Sequence, residues 1–252
     1  MKSLLKTFFA FLCSIILLLV VGFIVAYFST PDVSMLKSKN PSTTAFIEFK
    51  KKEALAEGEK FVFQQRWISL KEVPELLIRT IILAEDASFW VHEGIDWYEV
   101  KQSIKKDWEE GEFARGGSTI TQQLAKNLYL SPKKTIYRKI REWFIAKELE
   151  NKLKKSRILE LYLNVIELGR GVFGIAAASQ KYFGKEPNEL ELSEMVRLAA
   201  IIPDPLSLSP NYPSSGLKWR SRIILKRLYK YNFISEEEYL RTTEVLDEFF
   251  NT

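Results

Sequence analysis

From Phe8 to Phe28 the chain runs for 21 residues without a charged side chain, and most of them are Leu, Ile, Val or Phe. Coiled as a helix, such a run spans about 30 Å, the thickness of a bilayer's hydrocarbon core. A cleaved signal peptide has a shorter apolar stretch and ends at small residues, and "VAYFSTPD" offers no such site. The run therefore predicts an uncleaved single-pass anchor. Lys2 and Lys6 precede it, which by the positive-inside rule sets the N-terminus in the cytoplasm and everything after about residue 30 outside it.

This placement narrows the chemistry. Cys13 is the only cysteine and lies inside the anchor, so the outer domain has no disulfide, thiol nucleophile or thiolate metal site. His92 is the only histidine, which excludes a His-rich zinc site. The formal charge of +5 is unevenly spread. Between Lys126 and Arg157 eleven Lys/Arg face only Glu142, Glu148 and Glu150, leaving about −3 for the rest of the chain. A local basic field of that kind attracts phosphates or anionic headgroups. Nucleic acid is not expected as a partner outside the cytoplasm.

Residues 31–45, rich in Ser, Thr, Pro and Lys, read as a linker between an anchor at 1–30 and one globular domain at 46–252. Helical spacing recurs over 74–86, 96–110, 138–155, 157–167, 172–183 and 193–201. In the 138–155 segment Ile140, Phe144, Leu149 and Leu153 are expected near one face. A basic amphipathic helix follows from Lys218 to Tyr231, and Ser235 with Glu238 caps a last one. The best strand signal is "KFVFQQRWISL". The domain is predicted to be mainly α.

Three stretches carry chemistry. In "GGSTITQQLAKN" Thr119 and Gln122 form a capping box that starts a helix after two glycines. Free N–H groups at that start, with Ser118, Thr121, Gln122, Gln123 and Lys126, are expected to seat an anion. The competing reading is a well-capped helix and nothing more. In "ILAEDASFWVHEGIDW" Glu85 and Asp86 close an apolar helix among aromatics, where partial desolvation suits a carboxylate to proton transfer, and His92 can orient them. In "YRKIREWFIAKELE" Glu142 can meet Arg138 or Lys139 on one helix face. Taken singly, each has a purely structural explanation.

Together and in order they are specific. "EDASFWVHEG", "GGSTITQQLAKN", "RKIREWFIAKELE", "RILELYLNVIELGRGVFGIAAASQKYFGK" and "LSEMVRLAAIIPDPLSLSP" resemble the five motifs of the family 51 peptidoglycan glycosyltransferases. With one anchor and about 40 residues after Pro210, the chain is most similar to the monofunctional members of that family. The resemblance implies a lysozyme-like, mainly α fold whose small hydrophobic lobe admits lipid tails beside the membrane. Residues 95–140, with Trp97, Trp108, Phe113 and Tyr129, are expected to supply that lobe.

The implied reaction is polymerisation of lipid II into glycan strands, with inversion at the anomeric carbon and release of undecaprenyl pyrophosphate. Glu85 resembles the general base, and Glu142 the second acid, which organises cations around the pyrophosphate or helps bind Mg²⁺ or Mn²⁺. Ser118, Thr119, Gln122, Gln123, Lys126, Asn127, Lys134, Arg138 and Lys139 are the implied substrate contacts, with Asp86 and His92 in support. Lys134 stands where the family usually has arginine, keeping the charge but not bidentate geometry. Asn164, Glu167 and Gly169 are expected to shape the site, and Tyr162, Phe173 and Phe183 to be core. The implied partners are lipid II, the nascent strand, membrane lipids and other cell-wall synthesis and division proteins, at an inner membrane with the domain in the periplasm. The alternatives are a lytic transglycosylase or hydrolase of the same fold and a non-catalytic cell-wall scaffold.

Overall fold

The computed structural model describes residues 2–102 and 117–251. Its first helix, α1 (Lys2–Phe28), carries an apolar stretch from Lys6 to Phe28 that is long enough to cross a membrane. Most of its described side chains are exposed, as a lipid-facing helix requires; Ala26, near its C-terminal end, is fully buried. After it come α2 (Ala45–Ala56), α3 (Glu75–Glu85) and α4, whose described part covers 97–102. Then follow α5 (Ile120–Tyr129), α6 (Ile136–Lys152), α7 (Lys155–Val165) and α8 (Ile175–Phe183). The chain closes with α9 (Leu192–Ile201), α10 (Ser215–Lys230) and α11 (Glu236–Asn251). The mainly α expectation holds. The expected helix over 96–110, with Trp108, and Phe113 after it, falls largely outside the described residues.

Helix α7 is the centre of the domain. Ile158, Leu159, Leu161, Tyr162, Leu163 and Val165 are all fully buried, and a helix apolar on every side must be wrapped by others. It packs against α5, α6 and α8, while α9 and α10 pack on α3 to complete the core. Helix α6 differs from its expected single apolar face. Ile145 and Leu149 point into the core, whereas Phe144 meets α1 edge to face, 4.9 Å from the Phe23 ring and 5.5 Å from that of Tyr27. The helix lies between domain and anchor, so it needs an apolar surface on both sides.

The 31–45 segment is docked along the domain. Val33 and Leu36 are buried, and Arg157 donates to Leu36 O at 2.8 Å, Lys39 O at 3.0 Å and Asn40 Oδ1 at 2.7 Å. Helix α2, not anticipated from the sequence, starts at Thr44, whose hydroxyl accepts from Ile47 N at 3.1 Å.

The strand expectation resolves into a two-residue parallel pair, β1 (Gln64–Gln65) with β2 (Val172–Phe173). Asn164 serves this junction. Its side chain brackets Ile68, accepting from Ile68 N at 2.8 Å and donating to Ile68 O at 2.9 Å, and its carbonyl takes Gln65 Nε2 at 2.8 Å. Its amide is thus spent on scaffold. Gly174, just after β2, has φ +81° and no room for a Cβ, which would lie 2.8 Å from Asn164 O. Gly174→Ala is therefore expected to destabilise the domain by about 2 kcal/mol through backbone strain and this clash. That loss would be read as a fall of several degrees in thermal melting; an unchanged midpoint would contradict it.

Candidate active site

Glu85 is the last residue of α3, carried there by an amphipathic helix whose Leu77, Ile81 and Leu83 anchor it in the core. Its side chain is only 6% exposed. One oxygen, Oε2, accepts from Gln123 Nε2 at 2.8 Å, while Oε1 is buried with no hydrogen-bond partner, 3.9 Å from Arg220 Nη2. Burial raises the pKa of this carboxyl; the Gln123 bond, Arg220 and Lys126 oppose the rise, and the Asp86 charge adds to it. A carboxylate held this way is a stronger base than one in water.

Asp86 does a different job. Its side chain accepts from His92 Nε2 at 2.9 Å and from Ile120 N, the first amide of α5, also at 2.9 Å. Gly94 N donates to His92 Nδ1 at 3.0 Å, so Nδ1 carries no proton and Nε2 is the donor to Asp86. The capping box of α5 is complete: Gln122 N donates to Thr119 Oγ1 at 3.1 Å, and Thr119 N to Gln122 Oε1 at 3.0 Å. The expected seat for an external anion at this helix start therefore holds an internal one. Asp86 sits on the first free N–H, and Thr119 and Gln122 are buried in the cap. The first acidic motif and the Thr/Gln motif are thereby locked together.

The positive charge gathers one turn further along. Glu142 on α6 is buried, with Arg138 Nη1 at 2.5 Å from Oε2 and Lys139 Nζ on Oε1. Lys139 Nζ also donates to Ser118 Oγ at 2.7 Å, tying α6 to the approach of α5. Lys126 is half-buried beside this group. Burial lowers its pKa; Glu142 opposes that, and Arg138 and Lys139 reinforce it. Arg138 and Lys139 thus share one internal carboxylate with Lys126 close by, a local excess of positive charge that suits an anion from outside. Lys133 and Lys134 are exposed on the loop between α5 and α6, and Asn127 is buried. Both oxygens of Glu142, the residue expected to help bind a divalent ion, are engaged by Arg138 and Lys139. Among the described residues no three His, Cys, Asp or Glu side chains are grouped for one.

Glu85, Asp86 and Ser118 line a cleft of about 450 Å³ together with Arg227 of α10 and Tyr231, the residue that follows that helix. Arg227 Nη1 donates to Leu83 O at 2.9 Å, holding the end of α3. Arg220, Arg227 and Tyr162 are the functional neighbours that the sequence reading did not single out. The first two had a signal, a seven-residue repeat on one face of a basic helix; Tyr162 was read as core, and its ring is core. Glu167 and Gly169 belong to the β2 turn: Glu167 bridges Phe173, and a Cβ on Gly169 would lie 2.0 Å from Tyr182 Oη.

A mainly α domain packed on an apolar helix, with a buried carboxylate and a neighbouring excess of cations, has parts that suit transfer of a group away from an anionic leaving group. The comparison with known proteins makes this specific. The transglycosylase family model matches residues 51–229, and the chain belongs to that family. A biosynthetic peptidoglycan transglycosylase of Methylobacillus flagellatus is 40% identical over 75% of this chain and 82% of its own. One from Dechloromonas aromatica is 41% identical over the same shares. Penicillin-binding protein 1A of Aquifex aeolicus is 36% identical over 89% of this chain and 31% of its own length.

Proposed function

We propose that the chain is a membrane-anchored peptidoglycan glycosyltransferase that extends glycan strands from lipid II. One helix carries the reading: α5 presents Gln123 to the buried carboxylate of Glu85 and, three residues on, Lys126 to the cations around Glu142. The base at the end of α3 and the cations of α6 are thus bridged by one rigid element.

The acceptor is the sugar 4-hydroxyl of an incoming lipid II, and the donor is the growing strand on its lipid diphosphate. Glu85 Oε1 takes the hydroxyl proton as the oxygen bonds to the anomeric carbon from the face opposite the diphosphate, inverting it. The anomeric C–O bond breaks, and its electron pair leaves with the diphosphate. Lys126, Arg138 and Lys139 stabilise the charge that develops there, with Ser118 and the loop lysines Lys133 and Lys134 adding contacts. Glu142 keeps Arg138 and Lys139 from repelling each other and aims them.

The anchor supports the assignment, because both substrates are lipids and α1 packs directly on the cation-bearing helix α6. The membrane is taken to be the inner membrane, with the N-terminus in the cytoplasm and the domain in the periplasm, where other cell-wall synthesis and division proteins would work beside it. The test is incubation of the detergent-solubilised chain with fluorescent lipid II or with preformed strands, the products being separated by length. Polymer from lipid II is expected. Intact lipid II together with shortened strands would replace this reading by a lytic one.

A further inference from the structure

The hydroxyl of Tyr162 has no part in the scheme above. It projects from the middle of α7, a fully buried position where phenylalanine would fill the same space. There it donates to Gln123 Oε1 at 3.1 Å, and Gln123 Nε2 donates in turn to Glu85 Oε2 at 2.8 Å. We infer that Tyr162 is a positioning residue for the base, fixing the Gln123 amide so that its NH₂ group faces Glu85 and selects which carboxylate oxygen does the chemistry. The inference rests on the reading of Glu85 as base.

An amide side chain can present either end to a neighbour, and the two ends have opposite effects on a carboxylate. The NH₂ group stabilises the charge, while the carbonyl oxygen repels it. Tying the Gln123 oxygen to a donor leaves only the NH₂ end for Glu85. Tyr162 can serve as that donor at any working pH, because burial, with the nearby Glu85 and Asp86 charges, holds its pKa well above that of an ordinary phenol. The consequence is asymmetry at the base. Oε2 is occupied, whereas Oε1 accepts no hydrogen bond among the described residues and has only the Arg220 guanidinium 3.9 Å away, so the proton from the acceptor goes to Oε1. Among the described residues the other charged groups facing Glu85 are Lys126 of α5, Arg220 of α10 and the adjoining Asp86, while the Gln123 amide is bonded to Tyr162 and Glu85 themselves.

The test is the pH dependence of kcat/KM for lipid II polymerisation by the wild type, Tyr162→Phe, Gln123→Met and the double variant, each with its melting temperature. A base must be ionised, so activity rises with pH through the pKa of Glu85. Without the Tyr162 hydroxyl the amide populates both orientations and stabilises the carboxylate less. The rising limb should then move up by about half to one pH unit in Tyr162→Phe, with the high-pH plateau within about threefold of wild type. Gln123→Met should move it at least as far, and the double variant no further than Gln123→Met. A Tyr162→Phe rate reduced equally at every pH with an unmoved limb would make the hydroxyl a packing feature and overturn the inference. So would additive shifts in the double variant. If Tyr162→Phe fails to fold, an unmoved limb in Gln123→Met overturns it equally. A wild type that makes no polymer removes the base reading itself, which the relay alone could not do.

Discussion

Glu85→Gln is expected to slow polymerisation by about 10³-fold, the scale of a positioned general base, while lipid II still binds. The same change should raise the melting temperature near neutral pH. The folded pKa of Glu85 lies above its ordinary value because burial disfavours the charge. In the window between the unfolded and folded pKa values the native state therefore holds the extra proton, and stability falls as pH rises through it. Above that window an ionised, buried carboxylate is a standing penalty that the neutral amide does not carry. The stabilisation by Glu85→Gln should accordingly be larger near pH 7 than near pH 4, an order that differential scanning calorimetry reads directly. Near-normal activity would take the base role from Glu85, and a lower melting temperature at both pH values would contradict its burial as a strained charge.

The second large effect is on the cations. Glu142→Ala removes the carboxylate that Arg138 and Lys139 share among the described residues, leaving two positive side chains close together beside Lys126. Stranding the partners of a buried ion pair costs about 3–5 kcal/mol, and the expected loss lies at the lower end because Lys139 is about one-third exposed. Inorganic pyrophosphate should restore more of the melting temperature to this variant than it adds to the wild type, since an external anion then replaces the missing internal one. Equal or absent stabilisation by pyrophosphate would mean that the cluster does not face an anion site.

Sequence and structure agree wherever the determining interaction is local. The apolar run from Phe8 to Phe28, the box formed by Thr119 and Gln122 and the cap by Ser235 and Glu238 each depend on residues within a turn or two, and each forms as expected. The ordered motifs went further, singling out Glu85 and Glu142, and both side chains are buried. The interactions that were not legible join distant segments. Asp86 caps a helix 34 residues away, and Tyr162 reaches Gln123 39 residues back. Sequence could show that Asp86 was a carboxylate near aromatics, but not that it would close the helix start assigned to a diphosphate. Helix α6 was misjudged for a related reason. Its second apolar face makes sense only once α1 is packed beside it, and a helical period alone cannot say how many sides a helix must bury. Helix α2 was missed because Ile47 is its only buried residue, which leaves almost no periodic signal.

The central claim is that this site joins an acceptor hydroxyl to an anomeric carbon while cations take the departing diphosphate. The measurement that tests it most directly is a stoichiometry. The full chain in detergent would turn over lipid II while ³¹P NMR follows released polyprenyl diphosphate and ¹H NMR counts new glycosidic bonds and their anomeric configuration. One diphosphate is expected for each bond formed, with every new bond inverted relative to the donor. Diphosphate released without matching bonds would mean that water, not a sugar hydroxyl, is the nucleophile at Glu85, and the synthetic reading would fall.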